Sequence, residues 1–308
     1  MAHLSVVIPV YQAEECLHEL YRRLHDSIQP VTSDFEILMV EDRGSDRSWD
    51  VIRDLAKKDP RVKGLRFSRN FGQHYGITAG LDHCDGDWVV VMDCDLQDRP
   101  EDIPRLVAKA KKGFDIVLAS RTRRSGDGPS KILAARFFYK LFSWLSDIDY
   151  DKDVGNFRIL SRRVVESYRL LRERLRFFGG LVHWLGYATA SIEVEHALRP
   201  HGRSAYTLNR LFKLAGETII AYSDKPLRLS VKFGFFMAAA AFVYGVAMIV
   251  RTMLYNVPVM GWTSLIVSLY FLGGIIIGIL GIIGIYLGKT FDETKKRPLY
   301  IVSDRTAA

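Results

Sequence analysis

Asp93 and Asp95 stand one residue apart at the end of the apolar run Trp88-Val89-Val90-Val91-Met92. A buried strand that ends this way puts its carboxylates where open α/β sheets bind ligands, at the carboxyl ends of the strands. Oxygen ligands suit a hard divalent cation; Mg²⁺ typically takes one or two carboxylates together with substrate phosphates. The run continues as Leu96-Gln97-Asp98-Arg99-Pro100-Glu101, with Pro100 placed to start a helix. An isolated D-x-D is ordinary turn chemistry. With that strand before it, and Gln97 and a proline-started helix after it, the segment reads as a metal–nucleotide site.

Such a site needs a sheet behind it. Residues 4–10, 35–40, 62–67, 88–92 and 114–119 read as strands, and 14–28, 48–57, 76–84 and 103–111 as helices. Strands separated by single helices imply βαβ units and a mostly parallel sheet. The polar residues Tyr11, Asp42, Arg69-Asn70, Asp93 and Arg121 then fall at strand ends. Ser125-Gly126-Asp127-Gly128-Pro129 reads as a loop, and Asp153 to Arg158 as a polar turn into a further element. Residues 131–145 are basic and aromatic, which suits either a helix lying in a membrane interface or an ordinary docking helix. Residues 206–222 form a second candidate of this kind.

The apolar residues are unevenly spread. No charged residue occurs from Phe233 to Val250, or from Thr252 to Gly288. The first stretch is 18 residues long, about 27 Å as a helix and close to the thickness of a bilayer core. Glycines punctuate the second at 273, 274, 278, 281 and 284; small residues let membrane helices approach closely. Two transmembrane helices are expected. Lys225, Arg228 and Lys232 precede them and Lys289, Lys295, Lys296 and Arg297 follow, so the positive-inside rule places both flanks in the cytoplasm. The amino terminus reads as a strand, not a signal peptide. Cys16, Cys84 and Cys94 form no disulfide or metal pattern, as in a reducing compartment. The net charge of +8 fits a face meeting anionic lipid or a phosphorylated substrate. Nucleic acid is not expected, for no recognised binding motif is present.

The chain resembles the GT-A-fold, family 2 glycosyltransferases that use polyprenyl-phosphate acceptors. These include dolichol-phosphate mannose synthases, bactoprenol-phosphate glucosyltransferases of O-antigen modification, and undecaprenyl-phosphate aminoarabinose transferases. The resemblance is carried by residues 5–11 (Ser-Val-Val-Ile-Pro-Val-Tyr), Glu41-Asp42, residues 68–72 (Ser-Arg-Asn-Phe-Gly), Asp93 to Glu101, Ser120-Arg121, Gly155-Asn156-Phe157-Arg158, Gly202-Arg203-Ser204 and Arg297-Pro298-Leu299-Tyr300. It implies a GT-A (Rossmann-like, mostly parallel) α/β domain over residues 1–205, a juxtamembrane amphipathic helix over 206–230, two transmembrane helices over 231–288 and a basic cytoplasmic tail over 289–308. It implies a bacterial inner membrane, a role in cell-envelope or lipopolysaccharide assembly, and a homo-oligomer, a tetramer by analogy.

Residue by residue, the resemblance gives Pro9, Tyr11 and Asp42 the nucleotide base and ribose. Asp93 contacts the donor, and Asp95 with Gln97 holds Mg²⁺ or Mn²⁺ on its diphosphate, Asp93 assisting. Arg121, Arg158 and Arg203 with Ser204 neutralise donor or acceptor phosphates, although each arginine alone also suits a surface ion pair. The family commonly has Asn-Glu where this chain has Gln12-Ala13, a gap Glu14 is placed to fill, and a glycine where it has Arg43. These departures leave the nucleotide open, with UDP favoured. Some relatives carry an aspartate where Asn156 stands, regarded as catalytic; Asp153 is the nearest carboxylate here.

The implied reaction is a single, inverting displacement through an oxocarbenium-like transition state. A lipid phosphate, with a second pKa of about 6, is largely ionised and needs little help from a base. Two other readings are weaker. A processive polysaccharide synthase would carry Gln-x-x-Arg-Trp, which is absent from this chain. A non-catalytic membrane scaffold would have no use for Asp93, Asp95 and Gln97.

Overall fold

A computed structural model describes residues 3–121, 154–195, 223–255 and 261–306. They fall into two compact units. One comprises 3–121, 154–195 and 297–306, and the other 223–255 and 261–296. The loop at 125–129, the candidate interface helices at 131–145 and 206–222, and the site candidates Asp153, Arg203 and Ser204 lie outside the described residues.

The first unit is built on one eight-stranded sheet. In chain order it contains β1 (Leu4–Val10), α1 (Leu17–Ile28), β2 (Phe35–Glu41), α2 (Ser48–Lys58), β3 (Val62–Phe67), α3 (Gln73–His83) and β4 (Trp88–Val91). A 3₁₀ turn (Pro100–Asp102) then leads into α4 (Ile103–Ala110) and β5 (Ile116–Arg121). After the undescribed stretch come β6 (Val154–Ser161), α5 (Arg162–Leu170), α6 (Phe178–Trp184) and β7 (Thr189–Val194), and near the chain's end β8 (Val302–Arg305). The strand order is β7-β5-β6-β4-β1-β2-β3-β8. β6 and β8 are antiparallel to their neighbours, and the other pairings are parallel.

Every residue of β1 and β2 is buried. This is why both read as near-continuous apolar runs, as parallel strands covered on both faces do. Helix α1 buries Leu17, Leu20, Leu24 and Ile28, a stripe at helical spacing that seats it on the sheet. Sheet direction also fixes the site. β4, β1 and β2 all end at one edge, and so does β5, because it runs antiparallel to β6, itself antiparallel to β4. The start of β6 lies at the same edge.

Helix α3 approaches β1 unusually closely, and two glycines permit it. A Cβ at Gly80 would lie 2.1 Å from Val7 Cγ1, and one at Gly76 would lie 3.1 Å from Pro9 Cβ. These glycines stand four residues apart on one helix face. Their cost in helix propensity is offset by contact that brings the amino terminus of α3 to the sheet edge.

The second unit holds α7 (Lys225–Tyr255) and α8 (Trp262–Thr294). The stretches Lys225–Met248 and Ser268–Thr294, of mean hydropathy 1.7 and 2.3, are long and apolar enough to cross a membrane. Within this unit the Tyr286 hydroxyl donates to the Ser223 carbonyl at 2.7 Å. The tail differs from expectation: residues 302–305 are a strand of the first unit's sheet. Tail charge hid this, since Asp304 and Arg305 lie on an exposed edge strand, where charged residues are the rule.

Gly80→Ala should cost about 1–3 kcal/mol through overpacking against Val7. It should lower the melting temperature of the purified protein and, by displacing α3, reduce activity more than stability alone explains. A melting curve identical to wild type would contradict the close-packing account.

Candidate active site

The sheet brings most of the sequence-predicted residues to its carboxyl edge. Pro9 is buried near the end of β1, and Tyr11 follows it, 49% exposed. Asp42 follows β2, Asp93 and Asp95 follow β4, and the backbone of Arg121 ends β5. Asp93, Cys94 and Asp95 are half-buried. The Cys94 side chain packs against the core cluster, and burial pushes its thiol pKa up.

Asp93 is held by two amides. Gln73 Nε2, at the first position of α3, donates to its Oδ1 at 2.6 Å. Asn156 Nδ2, on β6, donates to the same oxygen at 3.1 Å. An aspartate at position 156 would set one carboxylate against another at this distance; the asparagine supplies a donor instead. Asp95 closes its own turn by accepting the Gln97 N–H at Oδ1, 3.2 Å, the local bond that favours aspartate in turns. Leu96 between them takes φ 60°.

Asp42 is buried, and its carboxylate accepts the Phe71 N–H at 2.6 Å and the Gly72 N–H at 2.8 Å. Burial raises its pKa, and these two bonds oppose the rise. Neighbouring Glu41 is committed to the fold: it accepts the Gly44 N–H and pairs with Arg66 at 3.0 Å. Glu14 accepts the Arg47 N–H at 3.0 Å, so it ties the loop after β1 to the start of α2. Gln12 donates to Ser45 at 3.0 Å in the same junction.

Arg158 is 4% exposed. Its Nη2 donates to the Gly155 carbonyl at 2.7 Å and its Nε to the Asn156 carbonyl at 3.4 Å, with the guanidinium over the Phe178 ring at 4.8 Å. These contacts brace the first residues of β6, including Asn156, a stretch that reads from sequence as a polar turn. His74 is held neutral, its pKa lowered to about 4 by burial and by the nearby charges of Arg176 and Arg158. That removes it as a proton relay near neutral pH.

Gln73 escaped the sequence reading although it directly follows the Ser68 to Gly72 segment. Its signal was positional: a helix that starts at a sheet's carboxyl edge aims its first side chains at the ligand site. Among the described residues no cluster of three or more His, Cys, Asp or Glu side chains is arranged to hold a metal. Asp93 and Asp95 together suit a hard cation that completes its shell with phosphate oxygens and water rather than with a protein cage.

Residues 5–174 match the family described as Glycosyl transferase family 2. The chain is 40% identical to YkcC, an uncharacterised glycosyltransferase of Bacillus subtilis (strain 168), over 97% of this chain and 92% of that protein. It is also 40% identical to the bactoprenol glucosyl transferase of Shigella phage SfX, over 98% of this chain and 99% of that protein. Among solved structures it is similar to glucosyl-3-phosphoglycerate synthase of Mycobacterium tuberculosis, crystallised with Mn²⁺, UDP and phosphoglyceric acid. That likeness, at 19% identity and a TM-score of 0.50 over 71% of this chain and 76% of that one, concerns the fold. The chain belongs to glycosyltransferase family 2, and its sheet has the GT-A architecture.

Gln73 is exposed, so Gln73→Ala should leave the melting temperature unchanged. A hydrogen bond to a charged group is worth about 1.5–3 kcal/mol, so kcat/KM should fall about tenfold or more. Asn156→Ala should act on the same carboxylate, and the double variant should lose less than the sum of the two. Additive losses would mean that the two amides do not share a task.

Proposed function

We propose that this transferase is membrane-bound and inverting. In this reading it moves one sugar from a nucleoside-diphosphate sugar, UDP-sugar favoured, onto the phosphate of a polyprenyl phosphate such as undecaprenyl phosphate. The observation that carries the reading is the amide-held Asp93 beside Asp95 at the sheet edge, in a chain 40% identical along its length to a bactoprenol glucosyl transferase.

The donor's base and ribose are assigned to Pro9, Tyr11 and Asp42. Asp95 with Asp93, and Gln97 beside them, would hold Mg²⁺ or Mn²⁺. The cation supplies charge neutralisation to the departing diphosphate. Gln73 and Asn156 keep Asp93 aimed at the donor. Arg121, Arg203 and Ser204 are assigned to phosphates. Arg158 contributes by bracing the start of β6, which carries Asn156. Glu14 reaches the donor through the loop it ties to α2. The acceptor phosphate arrives ionised, so its oxygen attacks the anomeric carbon without a strong base, and Asp153 is assigned at most an assisting role.

Two helices long and apolar enough to span a membrane suit an acceptor whose phosphate lies at headgroup level. The return of residues 302–305 to the sheet supports two crossings, with the catalytic unit and the tail on the same, cytoplasmic side. An inner-membrane homo-oligomer is part of this reading.

Purified protein incubated with polyprenyl phosphate and a panel of labelled sugar nucleotides should form a labelled lipid, with UDP-glucose the first donor to test. The product should carry the anomeric configuration opposite to the donor's; retention excludes a single displacement. Asp95→Ala and Arg121→Ala should each cut turnover by at least about 100-fold, the scale for losing transition-state charge stabilisation, while the protein stays folded. Near-normal turnover in Asp95→Ala would remove that residue from the metal site.

A further inference from the structure

We infer that the carboxyl-terminal segment, residues 299–306, is a strap that orders the donor pocket, with Tyr300 as its positioning residue. The inference rests on the assignment of Asp42 to the donor.

The strap has a built seat. β8 pairs with the β3 edge, Leu65 opposite Arg305 and Phe67 opposite Val302. The Ser68 N–H donates to the Ile301 carbonyl at 3.0 Å, and the Thr306 N–H to the Gly64 carbonyl at 3.1 Å. The Gly64 N–H in turn donates to Thr306 Oγ1 at 2.9 Å. A Cβ at Gly64 would lie 2.9 Å from Thr306 Cγ2 and 2.6 Å from Ile52 Cγ2, so this seat requires glycine.

Tyr300 turns inward from the strand. Its ring stacks on Phe67, centroids 5.3 Å apart and planes 24° apart, and its hydroxyl donates to Asp82 Oδ2 at 2.8 Å. Arg172 holds the same carboxylate at 2.9 Å. Phe67 meets Phe71 edge-on at 5.4 Å, and the Arg69 guanidinium lies over Phe71 at 4.1 Å. The amides of Phe71 and Gly72 are the two that hold Asp42.

Contact therefore runs unbroken from Tyr300 through Phe67 and Phe71 to the carboxylate. The turn needs that support. Gly72 stands at φ 110°, and a Cβ there would meet little but the Tyr75 ring at 3.9 Å. The Gly72 carbonyl accepts the Tyr75 and Gly76 N–H groups at 3.0 and 3.1 Å, and the packing of Phe71 adds the side-chain share of the order. The strap also continues the chain directly from α8, so the segment that leaves the long helix is the one that orders the pocket.

The test uses the full-length protein without substrate. Tyr300→Ala should speed hydrogen exchange at the Phe71 and Gly72 amides about three- to tenfold, the scale of a lost aromatic pair. Tyr300→Phe keeps the stack and should retain most of the protection. In transfer assays Tyr300→Ala should raise the KM for the nucleotide sugar by a similar factor and leave the KM for polyprenyl phosphate within about twofold. Unchanged exchange at Phe71 and Gly72, with the amides of residues 302–305 released, overturns the strap. A parallel change in both KM values does so too. If Tyr300→Ala does not fold, Tyr300→Leu, which removes the ring stack but keeps apolar bulk, must show the same pattern at smaller size, and no change there is equally fatal. Faster exchange in Tyr300→Ala, together with a wild-type protein that transfers no sugar to polyprenyl phosphate, would uphold the strap and overturn the proposed reaction instead.

Discussion

The structure depends on a carboxylate being kept at the open end of a buried strand. Asp93 follows β4 half-buried, beyond the last ladder pairs of that strand with β1 and β6. Without partners it would swing, and a ligand would have to restrain it on binding. Gln73 and Asn156 fix it beforehand, from a helix and from an antiparallel strand. Preorganisation of this kind lowers the cost of holding charge in a reacting complex. Gly76 and Gly80 let α3 sit near enough to β1 for Gln73 to reach, and the Arg158 side chain braces the start of β6 beside Asn156.

Among the described residues, three non-glycine residues at this edge have positive φ. Gln12, Arg43 and Leu96 adopt φ near 50–60° just beyond β1, β2 and β4. Such positions cost an ordinary residue roughly 1–2 kcal/mol. Their clustering at one edge is what strain stored at a working site looks like. Arg43 takes the left-handed backbone that a glycine would adopt most easily. The departures in sequence thus fall in loops whose shape is held by other contacts, such as Glu14 with the Arg47 amide and Gln12 with Ser45.

The sheet was legible because its central strands are buried on both faces and read as apolar runs. The 62–67 strand was read with the bounds it has, and 35–41 and 88–91 differ by one residue. The Asp93–Asp95 pair was legible because it punctuates one of those runs. Contacts between distant segments were not. Gln73 meets Asp93 across 20 residues and Asn156 meets it across 63, and periodicity carries no information at that range. The tail strand was hidden for a different reason. Edge strands are short and charged, and Val302-Ser303-Asp304-Arg305 has no apolar pattern apart from its pairing with β3.

The central claim is that Asp93 and Asp95 bind a nucleoside diphosphate through a divalent cation. Calorimetric titration of UDP into the purified protein measures this without sugar transfer. Binding should be clear with Mn²⁺ present, vanish with excess EDTA, and vanish in Asp95→Ala with Mn²⁺ restored. UDP affinity equal in all three conditions would contradict the account.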